Sequence, residues 1–141
     1  MKIFIIGSTA FYDKIPPIKE YLEKEGIELI MPNSYDNPNI EEEAKLQGQE
    51  AHTELERKLF KMSEDNIKSV DAVLCINFEK HGIRNYIGRA TFIEIYEAFK
   101  NNKDIYLYND IPEGSLNDEL TAFGSVPLRQ DLSLIKKKTL N

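Results

Sequence analysis

Two apolar runs without alternation constrain most strongly how this chain can fold. Residues 3–6 read Ile-Phe-Ile-Ile, and residues 72–76 read Ala-Val-Leu-Cys-Ile. A strand with one face in water alternates apolar and polar residues, whereas an unbroken apolar run is typical of a strand buried on both faces. Because such strands occur in parallel sheets that carry helices on both sides, the two runs predict an α/β protein.

Helix signals separate the predicted strands along the chain. Strands are predicted at residues 2–6, 27–31, 70–77 and 105–108, with a short edge strand at 126–128. Helices are predicted at about 16–25, at 40–69 with a possible break at Gly48, at 88–101 and, as a short turn, at 116–123. This alternation predicts a single domain over residues 1–141, an α/β three-layer sandwich with a mostly parallel sheet of four or five strands.

Charge and cysteine content exclude several function classes. The 141 residues include 18 Lys plus Arg and 24 Asp plus Glu, for a formal net charge of −6. That balance argues against nucleic acid or an anionic membrane as a partner, although backbone N–H groups could still bind a small anion. The single cysteine, Cys75, and two separated histidines, His52 and His81, offer neither a disulfide nor a recognisable metal site. We therefore expect no metal and no cofactor, and the short apolar segments favour a cytoplasmic protein.

The loops after the predicted strands form the expected functional edge. Ligands of parallel α/β sheets bind outside the carboxyl ends of the strands. In this chain that edge is formed by residues 7–9, 31–34, 77–85 and 109–110, which are rich in polar residues. Asn77 and Asn109 end the third and fourth strands, so we expect each of them to contact a ligand or to fix a loop.

The first of these loops, Gly7-Ser8-Thr9, has two interpretations. Glycine allows a ligand to approach the backbone closely, and the N–H groups that follow could bind phosphate or sugar hydroxyls. The same three residues could equally form a tight turn that only reverses the chain. Neither a dinucleotide fingerprint nor a P-loop is present.

A second candidate segment opens the helix predicted after the third strand. Thr91 and Glu94 are three residues apart there, so both can face the same cleft. A carboxylate near a helix N-terminus is stabilised as the anion, which suits a nucleophile or an electrostatic stabiliser. Spacing alone slightly favours the plainer interpretation, a capping or surface carboxylate.

Several short motifs together resemble the nucleoside 2-deoxyribosyltransferase-like superfamily. The first strand ends in Ile-Gly-Ser, a strand covers 71–77, and Gly88-x-Ala-Thr-x-x-Glu94 opens the next helix. The segments Ile-Tyr-Leu-Tyr-Asn at 105–109 and Ile-Pro-Glu at 111–113 are similar to a small branch of that superfamily. The resemblance implies a flavodoxin- or Rossmann-like sandwich and an enzyme that cleaves or exchanges the N-glycosidic bond of nucleosides or nucleotides.

The resemblance also implies roles for particular residues. Glu94 matches the family glutamate that attacks the anomeric carbon, and Asp65 is similar in position to a second family carboxylate. Asn85 lies in the loop where the family places an aspartate. Family members are usually oligomers with shared sites, so the resemblance implies a homodimer or a higher homo-oligomer.

An enzyme of this kind needs groups that hold the substrate. A 5′-phosphate would be held by Ser8 and Thr9, by the helix N-terminus near Gly88, and by Arg89. The complete set of expected substrate-binding residues is Gly7, Ser8, Thr9, Tyr12, Asn77, Asn85, Gly88, Arg89, Thr91 and Asn109.

Two further roles stay open between alternatives. The base would stack on Phe11 or Tyr12, unless these rings pack against the first helix. The proton for the leaving base could come from Asp65, Glu64 or Tyr12.

The first hypothesis is therefore a nucleoside or nucleotide N-glycosidase, or a deoxyribosyltransferase-like enzyme, that works through a Glu nucleophile. The alternative is a non-catalytic nucleotide-binding or sensor module on the same fold. A third possibility is an interaction protein whose polar 40–69 segment forms an oligomer interface.

Overall fold

The computed structural model describes residues 1–136 and contains a five-stranded sheet in which all strands are parallel. The strands are β1 Lys2–Ile6, β2 Glu28–Ile30, β3 Ala72–Cys75, β4 Asp104–Leu107 and β5 Val126–Pro127. The α-helices are α1 Ile15–Lys24, α2 Ile40–Leu46, α3 Gln49–Ser69, α4 Arg89–Lys100 and α5 Asn117–Ala122. Short 3-10 helices cover Thr9–Lys14 and Leu132–Leu134. The predicted α/β sandwich with a parallel sheet is confirmed.

The strand order is β2-β1-β3-β4-β5, so the order reverses between β1 and β3. β1 is paired on both edges, and its Phe4 lies opposite Ile30 of β2 and Val73 of β3. In open parallel sheets, a crevice for ligands forms at the carboxyl ends of the strands where the order reverses. The loops that follow β1 and β3 therefore border such a crevice.

The sheet is covered on both faces, which explains the unbroken apolar runs. Ile3 and Ile5 of β1 face one core together with α1, while Phe4 and Ile6 face a second core together with α3 and α4. All four side chains are essentially inaccessible to solvent. Because successive residues of a strand point to opposite faces, a strand buried on both sides must be apolar at every position.

The structure adds detail to the prediction in two segments. The predicted 40–69 helix does break at Gly48, whose φ of 114° is incompatible with an α-helix, and the segment forms α2 and α3. The loop expected after Gly7 tightens into a 3-10 helix that begins at Thr9, where the Ser8 hydroxyl accepts a hydrogen bond from the N–H of Ala10.

Within residues 1–136, no helix is both long enough and apolar enough to cross a membrane. The solvent-exposed lysine tail that the sequence predicts at 136–138 lies largely outside the described residues.

Substitution of Gly7 measures how closely the chain after β1 packs against the chain after β3, at the crevice. Its φ is 152°, and a Cβ built there would lie 2.6 Å from Ile76 Cγ1 and 3.1 Å from the Ile76 carbonyl oxygen. We expect Gly7→Ala to lower the free energy of unfolding by about 1–3 kcal/mol, measured by urea unfolding. Gly48→Ala is the matched control, since Gly48 also has a positive φ but no atom within 4 Å of its added Cβ. Equal losses in the two variants would contradict the tight contact at Gly7.

Candidate active site

A cleft of about 570 Å³ lies at the carboxyl ends of β1 and β2 and beside the start of α4. That volume is within the usual range for sites that bind small molecules. The loop after β1 contributes Gly7, Ser8, Thr9 and Tyr12, and the loop after β2 contributes Pro32, Asn33 and Ser34. The start of α4 contributes Gly88, Arg89, Thr91 and Glu94. The structure thus brings together the two segments that the sequence singled out, the loop 7–9 and the start of the helix within 85–94, although Asn85 itself does not line the cleft.

Asn77 and Asn109 do not line this cleft. Asn77 is fully buried, and its Nδ2 donates a hydrogen bond to the carbonyl oxygen of Asp110 at 2.8 Å. Its Oδ1 accepts from the backbone N–H of Asn109 at 2.9 Å. Of the two expected roles, the structure supports the fixing of a loop, because these bonds tie the end of β3 to the segment after β4.

Asp65 and Asn85 also lie outside the cleft lining. Asp65 is on the exposed side of α3, and its neighbour Glu64 pairs with Lys68 at 2.9 Å. Asn85 has a φ of 56° and lies in the loop between β3 and α4, where asparagine tolerates the left-handed conformation. The structure therefore does not bring either residue to the expected site.

The carboxylate of Glu94 is held by one hydrogen bond. Its Oε2 accepts from the Ser63 hydroxyl at 2.7 Å, and within residues 1–136 it forms no ion pair. Burial raises the pKa of Glu94 to about 7, and the Ser63 hydrogen bond opposes part of that rise. The sequence-based expectation of a carboxylate stabilised as the anion is therefore wrong. Desolvation outweighs the helix N-terminus here.

Ser63 belongs to a small polar network between α3 and the loop after β2. The Asn33 amide nitrogen donates to Ser63 Oγ at 2.7 Å and to the carbonyl oxygen of Leu59 at 3.0 Å. Asn66 in turn donates to the Asn33 Oδ1 at 3.0 Å. These contacts reach Glu94 from a neighbouring helix and a neighbouring loop.

Lys80 brings positive charge to the cleft. Its Nζ donates a hydrogen bond to Ser8 Oγ at 3.1 Å and lies 5.1 Å from the centre of the Tyr86 ring. The Lys80 N–H also donates to the Ile83 carbonyl oxygen at 3.0 Å, which closes the loop after β3 into a small turn. Arg89 is exposed at the start of α4 and lines the same cleft.

Tyr12 is the aromatic residue of the first loop that faces the cleft. Phe11 is buried against Phe78, with ring centres 5.6 Å apart, so it cannot stack on a bound base. The Tyr12 hydroxyl shares a hydrogen bond of 3.1 Å with Ser34 Oγ. Burial raises the pKa of Tyr12, the Ser34 hydrogen bond lowers it, and the nearby Glu94 carboxylate raises it further.

One cluster could hold a cation although the sequence predicted no metal site. The ligand atoms of Glu41, His52 and Glu56 all lie within 4.8 Å of one another, and both glutamates line the cleft. His52 is half-buried, and its Nε2 lies 3.2 Å from Glu56 Oε1. An imidazole with two carboxylates suits a divalent cation, and the same contact is an ion pair when His52 is protonated.

Sequence reasoning missed Ser63 and Asn33. Apolar residues in the 40–69 segment point to Met62 as an inward-facing position, but Met62 is 37% exposed, whereas Ser63 is 6% exposed. Leu59, Ser63 and Ile67 are spaced four residues apart, so they share one helix face. A small polar residue between two inward-facing apolar residues was the available signal.

Comparisons with protein-family models and with curated proteins find no match for this chain. Its chemistry must therefore be inferred from the residues and geometry of the cleft.

Glu94 should make stability depend on pH in a defined window. An ordinary glutamate ionises near 4.5, whereas in the folded protein Glu94 keeps its proton up to about 7. The folded state binds more protons between these values, so the free energy of unfolding should fall as the pH rises through them. We expect this component, worth a few kcal/mol, to be lost in Glu94→Gln, as measured by urea unfolding between pH 4 and 8.

Glu97→Gln changes an acid one turn further along α4 and serves as the control. This variant retains Glu94, so it should keep the decline between pH 4.5 and 7 that Glu94 produces. A Glu94→Gln variant with the same decline would contradict the raised pKa.

Proposed function

We propose that this protein cleaves or exchanges the N-glycosidic bond of a nucleoside or nucleotide, with Glu94 as the nucleophile. The observation that carries the proposal is the carboxylate of Glu94, which opens on a cleft of small-molecule size and is bonded at Oε2 only. The residues beside it, Thr91 and Gly88, belong to the motif that resembles the nucleoside 2-deoxyribosyltransferase-like superfamily.

The reaction would proceed in two displacements at the anomeric carbon. First, a Glu94 oxygen forms a bond to that carbon while the C–N bond to the nucleobase breaks. The electrons of the C–N bond go to the leaving nucleobase, which is protonated. Water or a second base then attacks the same carbon and returns the electron pair to Glu94. Two inversions give net retention, as in retaining glycosidases. The first step needs the ionised form of Glu94, so the rate should rise as the pH approaches and passes about 7.

Tyr12 is the preferred proton donor among the three residues considered. Glu64 and Asp65 are exposed on α3 and do not line the cleft, whereas Tyr12 does. The Tyr12 phenol carries a proton at neutral pH and can donate it, and the burial that raises its pKa makes it a weaker acid than an exposed tyrosine. The same ring offers a face on which a base could stack.

A phosphate or another anionic group of the substrate would bind to the cationic and N–H-donating residues of the cleft. Lys80 and Arg89 supply positive charge, and the Ser8 hydroxyl and the first N–H groups of α4 supply further donors. These local positive charges and donors explain how a chain with a net charge of −6 could bind an anionic nucleotide.

We also propose that the protein is a homo-oligomer of the cytoplasm. The α4 side chains Ile93, Tyr96 and Phe99 are 50%, 47% and 44% exposed, and Ile93 also lines the cleft. A second copy that covers this apolar face would exclude water from the site as well.

Loss of Glu94 should abolish turnover. We expect Glu94→Ala to lower the rate of base release by about 10⁴-fold or more, because removal of a nucleophile removes the covalent route. Chromatography of free base from a panel of nucleosides and their 5′-monophosphates measures this rate. Glu97→Ala, on the same helix but outside the cleft lining, should retain the wild-type rate.

The same panel separates the enzyme from a binding module. A module would show ligand-dependent thermal stabilisation without base release from any compound. Base release that is unchanged in Glu94→Ala would contradict the assigned nucleophile.

Lys80 should matter only for substrates that carry an anionic group. We expect Lys80→Ala to raise KM for an accepted 5′-monophosphate roughly tenfold to hundredfold, because a charge-assisted contact is lost. KM for the matching nucleoside should stay close to the wild-type value. Lys103→Ala, a change at a lysine outside the cleft lining, is the control, and equal effects on both substrates would contradict the anion subsite.

A further inference from the structure

Three polar side chains form a single hydrogen-bonded series that ends on Glu94. Asn66 donates to Asn33, Asn33 donates to Ser63, and Ser63 donates to Glu94, at 3.0, 2.7 and 2.7 Å. The series joins the loop after β2 to α3 and α4. Ser63 is 6% exposed, so water does not compete freely for its hydroxyl.

The direction of every bond in this series follows from one backbone group. The carbonyl oxygen of Leu59 can only accept, so the side-chain atom of Asn33 that lies 3.0 Å from it must be the NH₂ group. The two hydrogens of that group are then used by Leu59 and Ser63. The Asn33 oxygen is left to face the Asn66 amide, which donates to it.

The orientation of Asn33 determines what Ser63 can do. A serine hydroxyl has one hydrogen, and its oxygen already accepts from Asn33. The hydrogen is therefore available to Glu94, whose Oε2 lies 2.7 Å away. Ser63 acts as a donor to Glu94 and is held in that role by Asn33.

The two oxygens of Glu94 are consequently not equivalent. Oε2 is bound to Ser63, whereas Oε1 accepts no hydrogen bond from any residue in the part of the chain from Met1 to Lys136. Glu94 lines the cleft, so the unbound oxygen is the one available to a substrate. A carboxylate held at one oxygen also loses rotational freedom before it reacts.

We propose that Ser63, oriented by Asn33, is the positioning residue of the site: it holds Glu94 through Oε2 and leaves Oε1 to attack the anomeric carbon. This role rests on the proposed function of Glu94 as the nucleophile. It adds an assignment that the motif around Gly88 and Glu94 does not contain, because Ser63 and Asn33 come from other elements of the fold.

The hydrogen bond also has a measurable electrostatic consequence. Ser63 donates to the ionised form of Glu94, so its hydroxyl lowers a pKa that burial raises. The other ionisable groups that line the cleft are Tyr12, Glu41, Glu56, Lys80 and Arg89. Of the groups near Glu94, Tyr12 and Cys75 of β3 lie close enough to interact with its charge. None of these groups is altered by a change at Ser63, so the effect of the hydroxyl can be isolated.

The test measures the pKa of Glu94 directly, without a substrate. Protein labelled with ¹³C at the glutamate carboxyl carbon is titrated by NMR, and the Glu94 signal is identified by its absence in Glu94→Gln. In Ser63→Ala we expect the acid dissociation constant of Glu94 to fall about tenfold, because the anion loses its donor. Ser63→Thr keeps the hydroxyl and should restore the wild-type value.

Two more variants complete the titration. Ser125→Ala is the matched control, since Ser125 is also a buried serine but its hydroxyl has no hydrogen-bond partner and lies outside the cleft lining. Asn33→Ala keeps the Ser63 hydroxyl but removes its orienting donor, so the pKa should rise in the same direction by a smaller amount. If Ser63→Thr does not fold, Asn33→Ala decides: a pKa equal to that of the wild type would overturn the proposal.

Kinetics on an accepted substrate supply the second readout. We expect Ser63→Ala to lower kcat roughly tenfold to hundredfold with little change in KM, and to move the rise of kcat/KM to higher pH. Ser63→Thr should recover most of kcat. An active Ser63→Ala enzyme with the wild-type kcat and the wild-type pKa at Glu94 would overturn the positioning role and leave the proposed function standing. Absence of base release from the wild type, together with a changed pKa in Ser63→Ala, would instead reject the proposed function while the contact itself holds.

Discussion

β1 and β3 are buried on both faces, and the position of every residue in the candidate site depends on that burial. β1 lies between β2 and β3, so its side chains contribute to two cores at once. The parallel pairing brings the carboxyl ends of these strands to one edge, and the reversal of strand order leaves a crevice there. Gly7 sits at the mouth of this crevice, where its missing Cβ allows the chain to pass Ile76.

The cleft contains a carboxylate, Glu94, whose ionised form is destabilised by burial. Desolvation raises the pKa of Glu94 to about 7, and the hydrogen bond from Ser63 stabilises its ionised form and opposes part of that rise. Lys80 and Arg89 supply positive charge to the same cleft. A buried carboxylate whose pKa lies near neutrality, in a cleft of small-molecule size, is a candidate functional group.

The sequence predicted residues of the candidate cleft correctly where these residues lie close together in one helix or loop. Thr91 and Glu94 are three residues apart on one helix, so their shared face followed from helical periodicity. Asn77 and Asp65 show where such reasoning ends. Asn77 ends a strand at the correct edge but is buried in bonds to the neighbouring loop, and Asp65 lies on the exposed side of its helix.

By itself, the sequence determined the α/β class, the parallel sheet, the sheet edge where the candidate cleft lies and two segments of that cleft. These follow from patterns along the chain, because the spacing of apolar residues indicates which faces are buried and glycines mark positions where the backbone is less restricted. Only the tertiary structure decided that Ser63 and Asn33 reach Glu94 and that Glu94 keeps its proton up to about 7. Residues 33, 63 and 94 are about thirty positions apart, and the desolvation of a carboxylate depends on every element packed around it, so neither property is written in a local pattern.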